Sequence, residues 1–392
     1  MSILLFIVGI LLFIGLVVIH EFGHFIMARR NGVAVEEFGI FFPPRLYKKK
    51  ARAGWDFTIN LLPLGGFVRL KGEHDSDTEP GTFGAASVWV KTKIMAAGVV
   101  MNLLTALVLL TILALIGMPK LIPNQFTVKS DTHSHNYISN PDNLIDKVEV
   151  GSPAQKAGLH KGDQMLAIGL PGHVNKITDP DNLGVITKQY AGQSVDIKVE
   201  RNKQQLTLIA HLLSNQQLKT SNQKGYLGVI TTPEYGQLTL LKSTWSAPVV
   251  AVGLSAQITA LTFEGLGHAL GGLASLIAGA VTHNTVARQH GQTSASSQVA
   301  GPVGIFEILK SGSLLGYQFM LFIIAVISLT LAIMNILPIP ALDGGRLWIT
   351  LFTRAINRPL SPKREEAINA TGFAVLIGLL ILITIVDVQR FF

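Results

Sequence analysis

His20-Glu21-Phe22-Gly23-His24 combines two imidazoles and a carboxylate at a spacing suited to metal-assisted hydrolysis. On a helix, residues i and i+4 share a face, so His20 and His24 can hold one ion together. Glu21 projects beside them, where it can act on a water held by that ion. Zinc is the ion this H-E-x-x-H pattern favours. The carrier helix is unusual: an uncharged apolar run from Met1 to Ile19 leads straight into the motif, and Arg29 and Arg30 follow it. The expectation is a zinc hydrolase site at the depth of a bilayer.

Two histidines are not enough, because catalytic zinc usually has three protein ligands and one open position. The chain contains no cysteine, so the third ligand must be His, Asp or Glu. Asp343 is the outstanding candidate. It lies in Asn335-Ile336-Leu337-Pro338-Ile339-Pro340-Ala341-Leu342-Asp343-Gly344-Gly345-Arg346, which closes a later apolar segment. The two prolines break the helix there, and Gly344-Gly345 permits close backbone approach. Non-helical backbone at membrane depth is tolerated where it lines a cavity. Zinc lowers the pKa of a bound water to roughly 7, so Glu21 can take its proton as general base and pass it to the leaving amine. Asn335 is placed to hydrogen-bond the substrate backbone or the oxyanion. Asn102, in another apolar segment, either helps in this or packs helices together through an interhelical hydrogen bond.

These residues need membrane helices to position them. Of the 392 residues, 48% are hydrophobic and only 14% charged, against about 25% charged in ordinary soluble domains. The mean hydropathy of +0.42 agrees. Four segments are long and uncharged enough to span a bilayer, at residues 3–27, 94–118, 318–336 and 367–386. The net charge of +8 does not indicate nucleic acid, because Arg29, Arg30, Arg45, Lys48, Lys49, Lys50 and Arg52 cluster after the first segment. Arg346, Arg354, Arg358, Lys363 and Arg364 lie between the third and fourth. By the positive-inside rule both loops are cytoplasmic, and both termini and the long region between spans two and three are outside. Asp343 then reaches the same depth as His20 and His24. A cleaved signal peptide is disfavoured, because the basic residues follow the apolar run instead of preceding it.

The expected fold is a polytopic α-helical membrane protein with four transmembrane helices, a cytoplasmic-side β-hairpin and one inserted α+β domain outside. Residues 1–120 form the N-terminal membrane half, 121–240 the inserted domain, 241–317 a membrane-surface helical region with linker, and 318–392 the C-terminal membrane half. The hairpin has strands at 55–62 and 67–71 about a turn at Pro63-Leu64-Gly65-Gly66. Its edge either holds an extended peptide or simply packs on the membrane face. Residues 245–281 are nearly free of charge and are read as helices on the outer surface, with a fifth span as the alternative. Gln289 to Gln298 is a polar, Ser-containing connection.

In combination these motifs resemble the site-2 protease family of intramembrane zinc proteases, closest to its bacterial regulator-of-sigma-E protease branch. The matching runs are H-E-F-G-H at 20–24, P-L-G-G-F-V at 63–68, a PDZ-like S-P-A-x-x-A-G-L-x-x-G-D at 152–163, G-P-V-G-I at 301–305 and N-x-x-P-x-P-x-L-D-G-G at 335–345. The resemblance implies His20, His24 and Asp343 as zinc ligands and Glu21 as catalytic base. It implies that the element around Gly65 and Gly66 presents substrate. It further implies a multi-pass protein of the bacterial inner membrane that cuts single-span membrane proteins in the bilayer after another protease has trimmed them outside. Anti-sigma factors and signal-peptide remnants are the usual substrate classes. The PDZ-like domain would act as size filter or sensor. Where the family often has A-G-P-x-x-N, this chain has Ala97-Gly98-Val99-Val100-Met101-Asn102, with the proline absent and the asparagine kept. Two other readings compete. A catalytically inactive PDZ adaptor has no need of His20, Glu21, His24 and Asp343 together. A metal transporter would carry polar residues on several spans, and spans two and four have few.

Overall fold

The computed structural model describes residues 2–73, 77–138, 144–177, 180–201, 204–220, 225–232, 235–282, 301–356 and 361–391. The Gln289–Gln298 connection lies outside them. The chain divides into two compact units, one of Met1–His133 with Thr239–Phe392, the other Ser134–Leu238.

The first unit is built on helices. Helix α1 (Ser2–Arg30) carries the H-E-x-x-H motif near its C-terminal end, and α2 (Val88–Ile116) is capped by Ser87, whose side chain accepts from Val90 N–H. Of the later helices, α6 is Ala247–Val281, α7 Pro302–Leu315, α8 Tyr317–Ile336, α9 Asp343–Ala355 and α10 Pro362–Phe391. Five helices among the described residues are long and apolar enough to cross a membrane: α1, α2, α6, α8 and α10. The protein is thus a polytopic helical membrane protein. Lipid tails are as apolar as leucine, so such helices associate through close packing instead of hydrophobic burial. The contacts reflect this: Ala106, Leu110 and Ala114 of α2 pack with Ala247, Ala251 and Leu254 of α6 and with Phe322, Ala325 and Leu329 of α8.

The region read as surface helices is a single helix, α6. Its first half packs on α2 and α8, while Glu264 and His268 near its middle are 66% and 65% exposed at the side chain. The short α7 was not foreseen. Its G-P-V-G start is a helix N-terminus, where Gly301 N–H and Gly304 N–H both donate to Asp387 of α10 at 2.8 Å. A carboxylate there satisfies orphan amides and the helix dipole together.

On the other side of the motif, strands β1 (Val35–Lys50) and β2 (Asp56–Leu70) form a bent antiparallel sheet. Residues 63–66 do not close a simple hairpin. The two arms of β2 are separated by β1, with Phe38 opposite both Phe57 and Val68. The prolines and the cationic run in β1 hide its strand character in the sequence.

The second unit contains β5 (Leu144–Val148), α3 (Pro153–Lys156), β6 (Gln164–Leu170), β7 (His173–Lys176), α4 (Pro180–Gln189), β8 (Ser194–Arg201), β9 (Gln204–His211), α5 (Asn215–Thr220) and β10 (Val229–Thr232). The sheet order is β10-β5-β6-β8-β9, with β7 pairing β6. Three further strands, β3 (Met118–Pro119), β4 (Thr132–Ile138) and β11 (Tyr235–Leu241), form a separate sheet in the order β3-β11-β4. Alternation in β8 turns Val195, Ile197 and Val199 inward, onto Ile145, Met165 and Ile168. The G-L-x-x-G-D run is explained here. Asp163, 1% exposed, accepts from Arg201 Nε at 2.6 Å and Nη2 at 2.7 Å, and Arg201 Nη2 also donates to Gly158 O at 2.7 Å. Burial alone would raise the Asp163 carboxyl, but the Arg201 hydrogen bonds and the His160 amide hold it below the usual range.

A lowered folded-state pKa means that ionised Asp163 stabilises this unit above an unfolded value near 4, and that this is lost as pH falls through the folded value. Replacing Arg201 strands a buried carboxylate, a loss of roughly 3 kcal/mol. Hydrogen exchange of β6 and β8 in full-length Arg201→Met should show that loss at neutral pH. The deficit should shrink in acid, once the unpaired Asp163 takes up a proton.

Candidate metal centre and active site

His20, His24 and Asp343 converge although more than three hundred residues separate them. His20 Nε2 lies 2.8 Å from Asp343 Oδ2, His24 Nε2 lies 3.0 Å from the same oxygen, and the two Nε2 atoms are 3.2 Å apart. Both histidines are 8% exposed. Tetrahedral zinc with ligand bonds of about 2.0–2.1 Å would space its ligand atoms by about 3.3 Å. The triangle present is within a few tenths of an ångström to about half an ångström of that.

The hydrogen bonds sharpen the fit. His24 Nδ1–H donates to the Ile94 carbonyl at 2.7 Å. A neutral His24 then presents a lone pair at Nε2, directed at a carboxylate oxygen. Between that nitrogen and a carboxylate oxygen 3.0 Å away there must lie a proton or a metal ion, since two facing lone pairs would repel. Burial would raise the Asp343 carboxyl, but His24 and His20 hold it below the usual carboxylate range, in the ionised form a metal requires. The residues present therefore fit a zinc ion.

Local backbone design brings these groups together. In the motif, Phe22 and Gly23 have opposite tasks. Phe22 packs edge-on against Phe38 at 6.5 Å, and Phe25 meets Trp55 at 4.8 Å, which seats the sheet on α1. Gly23 faces α2 so closely that a Cβ there would meet Ala97 O at 2.6 Å. Gly98 of α2 is tighter still. A Cβ on it would stand 2.5 Å from His24 Nε2 and 2.6 Å from His20 Nε2. Opposite, Asp343 opens α9 behind the broken run 337–342. Ala341 there has φ 74°, a left-handed value uncommon for a residue with a Cβ. Gly344 and Gly345 sit against the carbonyls of Leu337 and Ile339 without room for side chains. Trp348 Nε1–H donates to Ile336 O at 2.9 Å, and Arg346 donates to Glu73 Oε2 at 3.4 Å and Glu73 O at 3.3 Å, fixing the turn from both sides.

The other predicted residues are placed as follows. Glu21 adjoins the triad, and the Val68 backbone N–H donates to its carboxylate. Gly66 lies against it, since a Cβ there would be 3.1 Å from Glu21 Cγ. Gly65 stands over the Phe42 ring instead. Asn335 is half-buried in the last turn of α8, and its side chain makes no hydrogen bond among the described residues. Asn102, 1% exposed, is on His20, with Nδ2 at 3.2 Å from Nδ1. Helix α2 runs unbroken through 97–102, so the absent proline leaves no bend. Gly23, Gly98, the Ile94 carbonyl and the Phe22–Phe25–Trp55 cluster were missed. The spacing of Ile94, Gly98 and Asn102 at i, i+4 and i+8 was the available signal; a backbone carbonyl has none.

Apolar spans around a buried two-histidine, one-aspartate centre with an adjacent glutamate define an integral membrane metallopeptidase. Residues 8–379 match peptidase family M50, and the chain belongs to that family, the site-2 proteases. It is 28% identical to a Clostridium perfringens relative bearing a zinc metalloprotease name, over 97% of each chain. It is 26% identical to the zinc metalloprotease RasP of Shouchella clausii, over 98% of each. It is 24% identical to the Enterococcus faecalis protein named as probable protease eep, over 96% of this chain and 97% of that one. The protein is a zinc metalloendopeptidase, and its family acts on membrane-protein substrates in the bilayer.

Gly98→Ala forces a methyl into both ligand rings and should weaken zinc binding at least about tenfold. Gly15→Ala, on the same span as the histidines but with nothing within 4 Å of the added carbon, should not. Bound zinc per chain, measured on detergent-purified protein, checks both.

Proposed function

We propose that the protein cleaves single-span membrane proteins within the bilayer after another protease has trimmed them outside. Anti-sigma factors and signal-peptide remnants are the substrate classes in view. The observation that carries this reading is the meeting of His20, His24 and Asp343 at the ends of apolar helices, with Glu21 lying between that centre and the β2 arm at Gly66.

His20, His24 and Asp343 are the metal ligands. A zinc ion held by these three side chains would supply Lewis acidity, towards the scissile carbonyl and towards a water whose pKa it would bring to roughly 7. Glu21 takes the proton of the attacking water and delivers it to the nitrogen of the departing amine. The Val68 amide and the Gly66 backbone hold the Glu21 side chain in place for both transfers. The arm 66–70 pairs only with β1 among the described residues. Its other edge can take an extended peptide by strand addition, which unwinds a substrate helix next to Glu21. Gly65 and Gly66 keep that approach free of side chains, and the Asn335 amide, without a side-chain partner among the described residues, binds the substrate backbone.

The topology we favour has four spans, α1, α2, α8 and α10, in the bacterial plasma membrane, with both termini and the 121–240 region outside. Helix α6 then lies on the outer surface. As a span it would carry exposed Glu264 near mid-membrane, which is costly without an enclosing partner. The inserted unit is read as PDZ-like, a size filter or sensor that leaves the chemistry to the membrane unit. The alternative of an inactive adaptor leaves the convergence of His20, His24 and Asp343 without purpose.

Glu21→Gln should keep about one zinc per chain and lose cleavage of a pre-trimmed single-span substrate by at least about a hundredfold. Zinc-loaded wild type that cuts no such substrate would return the adaptor reading.

A further inference from the structure

Asn102 carries an anomaly that the chemistry above leaves unused. Its side chain is buried, its nitrogen is 3.2 Å from His20 Nδ1, and its oxygen has no hydrogen-bond partner. A bare buried acceptor is costly, because it has given up water without gaining a partner. The two ends of an asparagine amide have nearly the same shape, and only the surrounding network decides which way round it sits.

His20 supplies that network. Its Nε2 faces Asp343 and His24, so a ligand role requires the lone pair at Nε2 and the proton at Nδ1. If Asn102 donated to Nδ1, the proton of a neutral His20 would sit on Nε2, where the metal belongs. We propose that Asn102 is a positioning residue of the metal centre, its amide oxygen accepting from His20 Nδ1–H in the loaded enzyme. This rests on the zinc-ligand reading of His20.

A second observation agrees. Ile94, Gly98 and Asn102 form one i, i+4, i+8 stripe on α2. Read in opposite directions, that stripe matches His24 and His20 on α1: the Ile94 carbonyl accepts from His24 Nδ1–H, Gly98 passes under both rings, and Asn102 meets His20. One helix therefore sets the outward nitrogen of both histidines. Ser328 of α8 donates to the Asn102 carbonyl at 2.8 Å and keeps that turn of α2 in place. Ligand histidines with a fixed second nitrogen bind metal more tightly, and loss of such a partner typically weakens binding 10- to 100-fold.

The test is zinc affinity by chelator competition on full-length protein in detergent, for wild type, Asn102→Leu and Asn102→Asp, with apo melting temperature as a folding control. Asn102→Leu, which removes the acceptor, should lose about 10- to 100-fold in affinity. Asn102→Asp, which keeps an oxygen towards Nδ1, should stay within a few-fold of wild type. Cleavage by Asn102→Leu should recover in excess zinc with KM unchanged. Wild-type zinc affinity in Asn102→Leu with a raised KM would overturn the proposal in favour of a substrate contact. So would equal losses in Leu and Asp, which indicate packing alone. Should Asn102→Leu not fold, Asn102→Ala set against Asn102→Asp makes the same comparison. A wild type that binds no zinc would overturn the ligand reading itself, and this proposal with it.

Discussion

Much of the structure near the motif depends on one close contact. His24 Nε2, its proton committed elsewhere by the Ile94 carbonyl, is held 3.0 Å from an Asp343 oxygen. A proton or a metal ion must lie between a ring nitrogen and a carboxylate oxygen held so close, since two facing lone pairs would repel. The fold sets that separation and leaves a place that a cation can take. An ion bound there would also be a stabilising contact between α1 and the α8–α9 turn, since an ion that binds only the folded state adds to its stability.

That separation comes from backbone proximity. Gly23 and Gly98 bring α1 and α2 to a separation that no side chain would permit, and Gly344 and Gly345 fold α9 back on the end of α8. Small residues are the usual means by which membrane helices approach. Here they also place ligand rings against a helix surface that can accept their outward protons. Flexibility is removed at the points where ligand atoms must be held to within a fraction of an ångström.

The sheet adds a second constraint. Phe22 and Phe25 leave α1 on the side away from α2 and stack into Phe38, Trp55 and Phe57. That cluster carries the β2 arm to Glu21. A site buried between helices thereby acquires one open wall made of strand, the only regular backbone that can hydrogen-bond an extended peptide. Peptide bonds within a helix are shielded by their own hydrogen bonds, so an intramembrane peptidase needs such a wall.

Much of this was legible in the chain. H-E-x-x-H, the apolar spans and the proline-broken run before Asp343 have spacings tied to local backbone geometry, and local geometry is what a sequence states directly. The extents of α1, α2, α8 and α10 came within a few residues of the apolar segments for the same reason. Within the inserted unit the alternation of β8 is visible in the chain, where Val195, Ile197 and Val199 fall on one face. What stayed hidden was relational. β1 between the arms of β2, α7 capped by Asp387, and Gly98 beneath the histidine rings depend on which distant surface arrives, and hydropathy is blind to that. By itself the sequence indicated the membrane setting and the zinc chemistry, because those follow from side-chain type and helical period. Only the tertiary structure decided that one stripe of α2 faces both histidines and that a carbonyl and an amide meet their outer nitrogens. Such contacts arise from packing between segments, where no residue's own propensity specifies its partner.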